Sequence, residues 1–409
     1  MQPANGERAQ GSWFSIILIY ALGVLGATTV SQAISVAGDI VKFLHVPHQQ
    51  AGWIISTPSA LTAVGALLTG SLVDRCGDKR ILIIGSLFIV AGDVGIAFAA
   101  TLTAFLLMRV IEGLGYVCVA VSAVTMMMRI TYGARRNIAM TLWSSFIPMS
   151  FALPLIMTSR LAGTDQWRWA FTGHAVVLAV LAVVALFALS AGGGETAPKR
   201  TTGLGVVLRA PGPYLLGLGF GCHAFIQTGI VSTLPHVLAH LYGLTLPVAA
   251  SILTLGMVFN VIGCVVVGPM MNRGGQPLAI AAWGALGVLA GGIPVGLELP
   301  SVPIAILFAC IFFFASGLVS GLWALLPQVA PGPQTRGATS GLVTQVTLFG
   351  VLLGPPAAFA SQATGGWMRE SVNIAVAGAL MLVVLWIVIR GFARNGVSAA
   401  EGEPMQASH

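Results

Sequence analysis

Three ionisable side chains stand in stretches where a charge is expensive to keep. Arg109 and Glu112 lie three residues apart inside one long apolar run, and Asp93 lies inside the run before it. Counted at 1.5 Å per residue, Arg109 is about 9 Å below one membrane surface and Asp93 about 18 Å from the other, which are similar depths. A spacing of three puts Arg109 and Glu112 on the same helix face. A guanidinium at such depth faces a cavity or an ion partner. A carboxylate beside it can take up a proton, because protonation trades against the ion pair. Arg109, Glu112 and Asp93 are therefore candidate transport and proton-coupling residues; the alternative is a static charge pair that locks two helices.

A second polar cluster lies in the second half of the chain. His223 falls midway along an apolar run, with Gln227 four residues on and so on the same face. An imidazole there titrates in a useful range and could bind an anion or carry a proton, and packing inside the helix bundle is the competing reading. His236 and His240 recur farther along, and His174 lies near the outer end of an earlier run. Two histidines at i and i+4 with no nearby carboxylate make only half a metal site, so no metal is expected. The five cysteines are scattered singly, mostly inside apolar runs, and read as packing residues. Phosphate-cradling loops and nucleophile elbows do not occur. The chain is read as no enzyme, with no cofactor.

The elements that must hold these residues are membrane helices. Charged residues make up 8% of the chain and hydrophobic ones 56%, with a mean hydropathy of +0.92. A soluble domain carries about a quarter charged residues. A bilayer core about 30 Å thick needs roughly 20 apolar residues per helix. Twelve such runs are centred near residues 26, 60, 90, 116, 150, 180, 225, 259, 287, 314, 349 and 381. They are continuous rather than alternating, which disfavours a barrel. The run from Trp13 to Ala37 is too long for a secretory signal core and is read as a retained first helix. The net charge of +7 is a topology signal rather than a nucleic-acid surface. With helices alternating from a cytoplasmic N-terminus, fourteen Lys and Arg fall inside and four outside.

The chain also repeats itself. Gly70, Asp74, Arg75 and Gly77 of one loop fall on Gly268, Asn272, Arg273 and Gly275 of another at a constant offset of 198. Arg136 and Arg336 are 200 apart, as are Trp167 and Trp367, and Pro154 matches Pro355 within one residue. The expected organisation is a six-helix bundle over 1–191, a cytoplasmic linker over 192–210, a second bundle over 211–395 and a tail over 396–409.

These motifs resemble the major facilitator superfamily of secondary transporters, in its bacterial twelve-helix form, over nearly the whole chain. Gly70 to Arg80 is similar to its Gly-x-x-x-Asp-Arg-x-Gly-Arg-Lys/Arg loop, with Asp78 in place of a usual Arg. Arg109-Val110-Ile111-Glu112-Gly113-Leu114-Gly115 resembles its Arg-x-x-Gln-Gly-x-Gly in the fourth helix, with Glu for Gln. Trp167-Arg168-Trp169-Ala170-Phe171 resembles its approach to the sixth helix. The resemblance implies an all-α membrane protein with twelve transmembrane helices. These would form two pseudo-symmetric six-helix bundles around a central cavity and work by alternating access. Helices one, four, seven and ten line that cavity, which points to Tyr20, Thr28, Gln32, Tyr116, Trp323 and Gln328 beside His223 and Gln227. Trp143, Asn260 and Gln345 are side-wall candidates. Helix five lacks the Gly-x-x-x-Gly-Pro pattern of drug antiporters, reading Ser145-Phe146-Ile147-Pro148-Met149-Ser150.

In the first loop a carboxylate at Asp74 could latch the halves in one state, with Arg129, Arg135 or Arg136 as partner. Arg75, Gly77, Arg80 and, in the second copy, Arg273 complete the gating set. The function expected is proton-coupled uptake of a small, anionic organic solute. Proton-driven efflux of a drug or hydrophobic metabolite is the alternative, and a non-transporting membrane sensor is the reading from another class. The expected partners are that solute, protons and the lipid bilayer, with no nucleic acid. The protein is read as a monomer in the cytoplasmic (inner) membrane with both termini cytoplasmic.

Overall fold

The computed structural model describes residues 11–131, 135, 139, 142, 143, 145–158, 161, 163–190, 204–295, 297, 299–331 and 336–401. Among them all regular structure is helical. The apolar runs become α1 (Trp13–Ser31), α2 (Ala51–Cys76), α3 (Asp78–Phe98), α4 (Leu102–Ile130), α5 (Phe146–Thr158), α6 (Arg168–Ala188), α7 (Pro211–Tyr242), α8 (Leu246–Asn272), α9 (Pro277–Val295) and α10 (Val302–Val319). A last helix, Arg336–Glu401, breaks at Gly366, where φ is 65° and ψ −164°. Its two spans are α11 (Gly341–Ala363) and α12 (Gly366–Val388). Ten of these helices are long and apolar enough to cross a membrane. The other two are α2, which includes residues outside the description, and α5, described over 13.

Local chemistry sets the ends. Ser12 accepts a hydrogen bond from the Ser15 N–H (3.1 Å) ahead of α1, and Thr101 one from the Ala104 N–H (3.2 Å) ahead of α4. Proline opens α7, α8 and α10 at positions where a missing N–H costs nothing. Of the expected linker, residues 192–203 lie outside the described residues, and Leu204–Arg209 is a short helix. The last helix continues to Glu401, so the segment expected as a tail begins helical.

The repeat is visible in the packing. In the first half α2 and α3 pack on α4, and α3 packs on α6; six helices later α8 and α9 pack on α10, and α9 on the α11–α12 pair. One detail of the repeat differs from the sequence alignment. Gly77 takes φ 89° between α2 and α3, yet its counterpart in conformation is Gly274, at φ 90°, not Gly275. The first turn passes from Gly77 directly into α3. The second holds two more residues, Gly275 and Gln276, before α9 opens at Pro277.

The halves meet through α2 against the last helix and α5 against α8. One hydrophobic core crosses between them. Its first-half members are Ala27 to Val41, Ala51 to Ile55, Ile96 to Phe105, Tyr116, Phe151, Ala152 and Trp167 to Phe171. These lie in the middle and at the end remote from the chain termini. A second core, including Ile16, Ile19, Leu82, Met126 and Ala185, belongs to the first half alone at the terminus-bearing end.

At the remote end the closest approach is Gly52 of α2 against the Pro355–Pro356 backbone of α11, where any Cβ would overlap it. Gly38 faces His236 across the same boundary. Gly52→Val is therefore expected to prop this end open. In a variant with the five native cysteines replaced, a cysteine at Gly38 should react several-fold faster with a membrane-impermeant maleimide once Gly52→Val is added. An unchanged rate would show that this contact does not hold the end shut.

Candidate functional site

The site starts from two interruptions of helical hydrogen bonding. Pro58 inside α2 has no N–H, which leaves the Ile54 carbonyl without its usual donor. The α1 helix ends at Ser31, so the Thr29 carbonyl is among the last, which run out of helical donors. Arg109 of α4 supplies both. Its Nε donates to Ile54 O (3.0 Å), and its Nη2 donates to Thr29 O (2.6 Å) and Ile55 O (3.2 Å). Its Nη1 donates to Glu112 Oε2, and the guanidinium lies 5.8 Å from the centre of the Phe171 ring. Arg109, Glu112 and Asp93 are all fully buried.

Glycines make room for this. A Cβ at Gly113 would strike the Pro58 carbonyl, one at Gly92 the Glu112 side chain, and one at Gly115 the Gly85 backbone. The glycines around Arg109 thus let α2, α3 and α4 approach closely.

Asp93 of α3 reaches the same cluster. Asp93 lies near enough to Glu112 for the two carboxyls to interact electrostatically, and Glu112 Oε1 has no hydrogen-bond partner among the described residues. Asp93 Oδ1 accepts from Gln32 Nε2 (2.8 Å), and Oδ2 lies 2.7 Å from His174 Nδ1. The other ring nitrogen, His174 Nε2, lies 2.9 Å from the Leu25 carbonyl. A carbonyl can only accept, so Nε2 carries hydrogen. The Nδ1···Oδ2 contact must then hold a further proton, on the imidazole or on the carboxyl. With that proton the charges of Arg109, Glu112, Asp93 and His174 sum to zero.

The other predicted residues fall into three groups. Thr28 and Gln32 are consumed inside the first half: the Thr28 hydroxyl bonds Val24 O (2.9 Å) and faces Ser150 O, while Gln32 holds Asp93. Tyr116 is buried in the shared core. Tyr20 bonds Ser145 Oγ across α1 and α5 (2.9 Å) and is half-buried. Asn260 donates to Phe313 O (3.0 Å) as a packing residue. In the second half Gln227 is half-buried and Trp323 is exposed, 4.8 Å from the Phe220 ring. His223 is buried with Nε2 unpartnered, and Gln345 Oε1 is also unpartnered. Buried polar atoms of this kind point to water or ligand.

The gating set is only partly described. Asp74 and Arg75 lie in the last turn of α2, and their side chains are outside the described residues. Arg80 is exposed, and Arg273 caps α8 through its backbone N–H. Arg129, one of the expected partners, pairs with Asp78, Nε to Oδ2 at 2.6 Å and Nη2 to Oδ1 at 3.1 Å. Asp78 sits at the first position of α3, where a helix N-terminus favours a carboxylate. Lys79 adds a bond to Leu189 O at the end of α6 (2.6 Å). Outside the spans, Asp39 accepts from the Gly163 N–H (2.9 Å); burial pushes its carboxyl up and that bond pulls it down. His174 and Asp78 are the residues that sequence reasoning passes over.

A family model described as Major Facilitator Superfamily matches residues 14–355. The tetracenomycin C resistance and export protein of Streptomyces glaucescens is 26% identical over 53% of this chain and 40% of its own length. The probable metabolite transport protein CsbC of Bacillus subtilis is 23% identical over 80% of this chain and 81% of its own. A solved structure of a bacterial homologue of the human lysosomal transporter Spinster superposes with a TM-score of 0.72. It is 16% identical and covers 93% of this chain and 99% of that one.

The roles of Arg109 and Asp78 separate by size. Arg109→Ala leaves two orphan carbonyls and a buried Glu112 without its cation, and is expected to destabilise by about 3–5 kcal/mol. The Asp78–Arg129 pair is partly exposed, so a double-mutant cycle with Asp78→Asn and Arg129→Gln should give a coupling of about 0.5–1 kcal/mol. Melting in detergent checks both.

Proposed function

The chain belongs to the major facilitator superfamily, and we propose that it moves a small organic solute across the cytoplasmic membrane by alternating access, coupled to proton movement. The observation that carries this reading is the proton required between His174 Nδ1 and Asp93 Oδ2. Losing it would leave a lone pair facing a carboxylate and return a net negative charge to a buried cluster. That cluster ties α1, α2, α3, α4 and α6 together through Gln32, Ile54, Asp93, Arg109 and His174. A change of protonation therefore alters the packing of five helices at once, which is what coupling to a rocking motion needs.

The cargo is read from what is left available. Four of the five N–H donors of Arg109 are taken by backbone and Glu112 and its side chain is fully buried, so it is not the group that meets an anionic solute. His223, with its free Nε2, and the accessible Gln227 and Trp323 are the contacts on offer. Uptake of an organic anion that engages His223 is the first reading. Export is the second, favoured by the likeness to the tetracenomycin C export protein. The excess of Lys and Arg on the side of the termini supports termini in the cytoplasm. The protein is proposed to act as a monomer.

Proteoliposomes loaded with a pH indicator test this, with small organic anions and lipophilic cations as the screened solutes. Solute-dependent proton flux is expected in the native protein. Asp93→Asn should fold, because an amide can accept from Gln32 and donate to neutral His174, and its cluster is neutral without the extra proton. It should keep solute exchange and lose proton flux. Equal proton flux in Asp93→Asn would sink the assignment, and solute movement without any proton flux in the native protein would make the carrier a uniporter or exchanger.

A further inference from the structure

The six spans of the second half contain a single acidic side chain, Glu370, in the second turn of α12. It is buried. The α7–α11 pair creates the space for it. Gly217 meets Val346, Gly221 meets Gly350, and Gly229 meets Gly354 and Ala358, so the two helices run close together. Glu370 covers the Gly229 position: a Cβ built on Gly229 would stand 3.2 Å from Glu370 Oε1. Asn373, one turn along α12 and near the carboxyl, donates from Nδ2 to Ser361 Oγ of α11 (2.6 Å). Ser371 Oγ donates to Ile293 O (2.8 Å) and fixes this turn of α12 on α9. Glu370 Oε2 has no partner among the described residues.

Among the described residues, no counter-charge comes from the helices around it. The α9 and α11 spans carry no titratable side chain. On α12 the neighbouring Arg369 is exposed while Glu370 is buried. On α7, His236 lies two turns beyond Gly229, its ring 5.9 Å from Phe359, and His240 lies a turn farther, against Trp367. A carboxylate left unpaired at this depth is strongly penalised, whereas a neutral acid there costs far less.

We propose that Glu370 is a proton-binding site of the second half, loaded while α7, α11 and α12 pack in this arrangement and emptied when α11 moves. The helix that carries Gly354 and Ala358 against Gly229 also carries Pro355 and Pro356 against Gly52 of the first half. Opening the remote end thus displaces one wall of the Glu370 site. The site itself stands on its own geometry; its part in transport rests on the reading of the chain as a proton-coupled carrier.

A carbodiimide test suits such a group, because dicyclohexylcarbodiimide attacks neutral carboxylic acids in apolar surroundings. An apolar groove of about 430 Å³, lined by Leu218, Phe225, Phe349, Leu353 and Leu380, reaches Asn373 and gives the reagent a route. In proteoliposomes of the full chain, mass spectrometry is expected to find Glu370 modified at pH 6. Modification should fall about tenfold per pH unit once the acid titrates, and should be the same in sodium and choline chloride. Infrared difference spectra between the native protein and Glu370→Gln, which need no reagent access, should contain a carboxylic acid carbonyl band at pH 6 that vanishes at high pH. Glu370→Gln should melt within a few degrees of the native protein, since an amide mimics the neutral acid.

A carboxylate band at every pH, or protection by sodium, would overturn the proposal, the latter in favour of a metal-cation site. If Glu370 titrates but no solute drives proton flux, the carrier reading falls and the proton site stands. If Glu370→Gln keeps the native ratio of protons to solute, Glu370 has no part in coupling and the carrier reading is untouched.

Discussion

A guanidinium held in hydrocarbon must have its donors satisfied, and the first half of this protein is arranged around that demand. Arg109 bonds the carbonyls of Thr29, Ile54 and Ile55 and the carboxylate of Glu112. Each acceptor is there for a local reason. Pro58 removes a donor from α2, α1 stops at Ser31, and Glu112 stands one turn along α4. The glycine at 113 lets α4 approach α2 closely enough for that reach, and those at 92 and 115 let α3 close on α4. Removing the arginine would expose two carbonyls and a carboxylate to an apolar interior, so the bond set is mutually dependent.

The internal repeat does not extend to this chemistry. Shifted by 198 residues, Arg109, Glu112 and Asp93 fall on Leu307, Cys310 and Gly291. The second half keeps the helix pairing and its close glycine contacts, such as Gly221 with Gly350 and Gly263 with Gly317, without those charges. Both halves are thus packed by backbone approach, and the first adds a set of buried polar bonds. Two bundles so different need not deform equally.

Much of this is legible in the sequence, for physical reasons. Length and continuity of apolar runs report membrane crossings directly, because hydrocarbon tolerates no exposed backbone. Depth is also legible: counting along the helices puts Arg109, Glu112 and Asp93 at one level, and they meet there. Facing is harder. Gln32 belongs to a helix that lines the cavity in the family, yet it turns toward Asp93. His174, counted from Trp167, lies about 10 Å deep, which is the same argument that singles out Arg109. A reading by cost of burial overlooks it, because an imidazole is cheaper to bury than a guanidinium. The loop motif tells only part of its chemistry: Asp78, an apparent departure from the pattern, makes an ion pair with Arg129. A carboxylate at the first position of a helix gains from the helix dipole whatever the motif prescribes.

The same bonds bear on what can be carried. A buried arginine is a natural candidate for recognising an anion only while it has donors to offer. Here backbone and Glu112 take four of the five and the side chain is fully buried, so its charge acts on Glu112 and Asp93 rather than on a solute. Two functions that a sequence reader would assign to one residue are thereby separated. On the proposed reading Arg109 tunes the buried carboxyls, and cargo contact falls to groups such as His223, Gln227 and Trp323 in the other half. Separation has a physical advantage. A cargo that bound Arg109 directly would have to break bonds holding three helices together each time it entered or left. A cargo that binds elsewhere leaves those bonds intact.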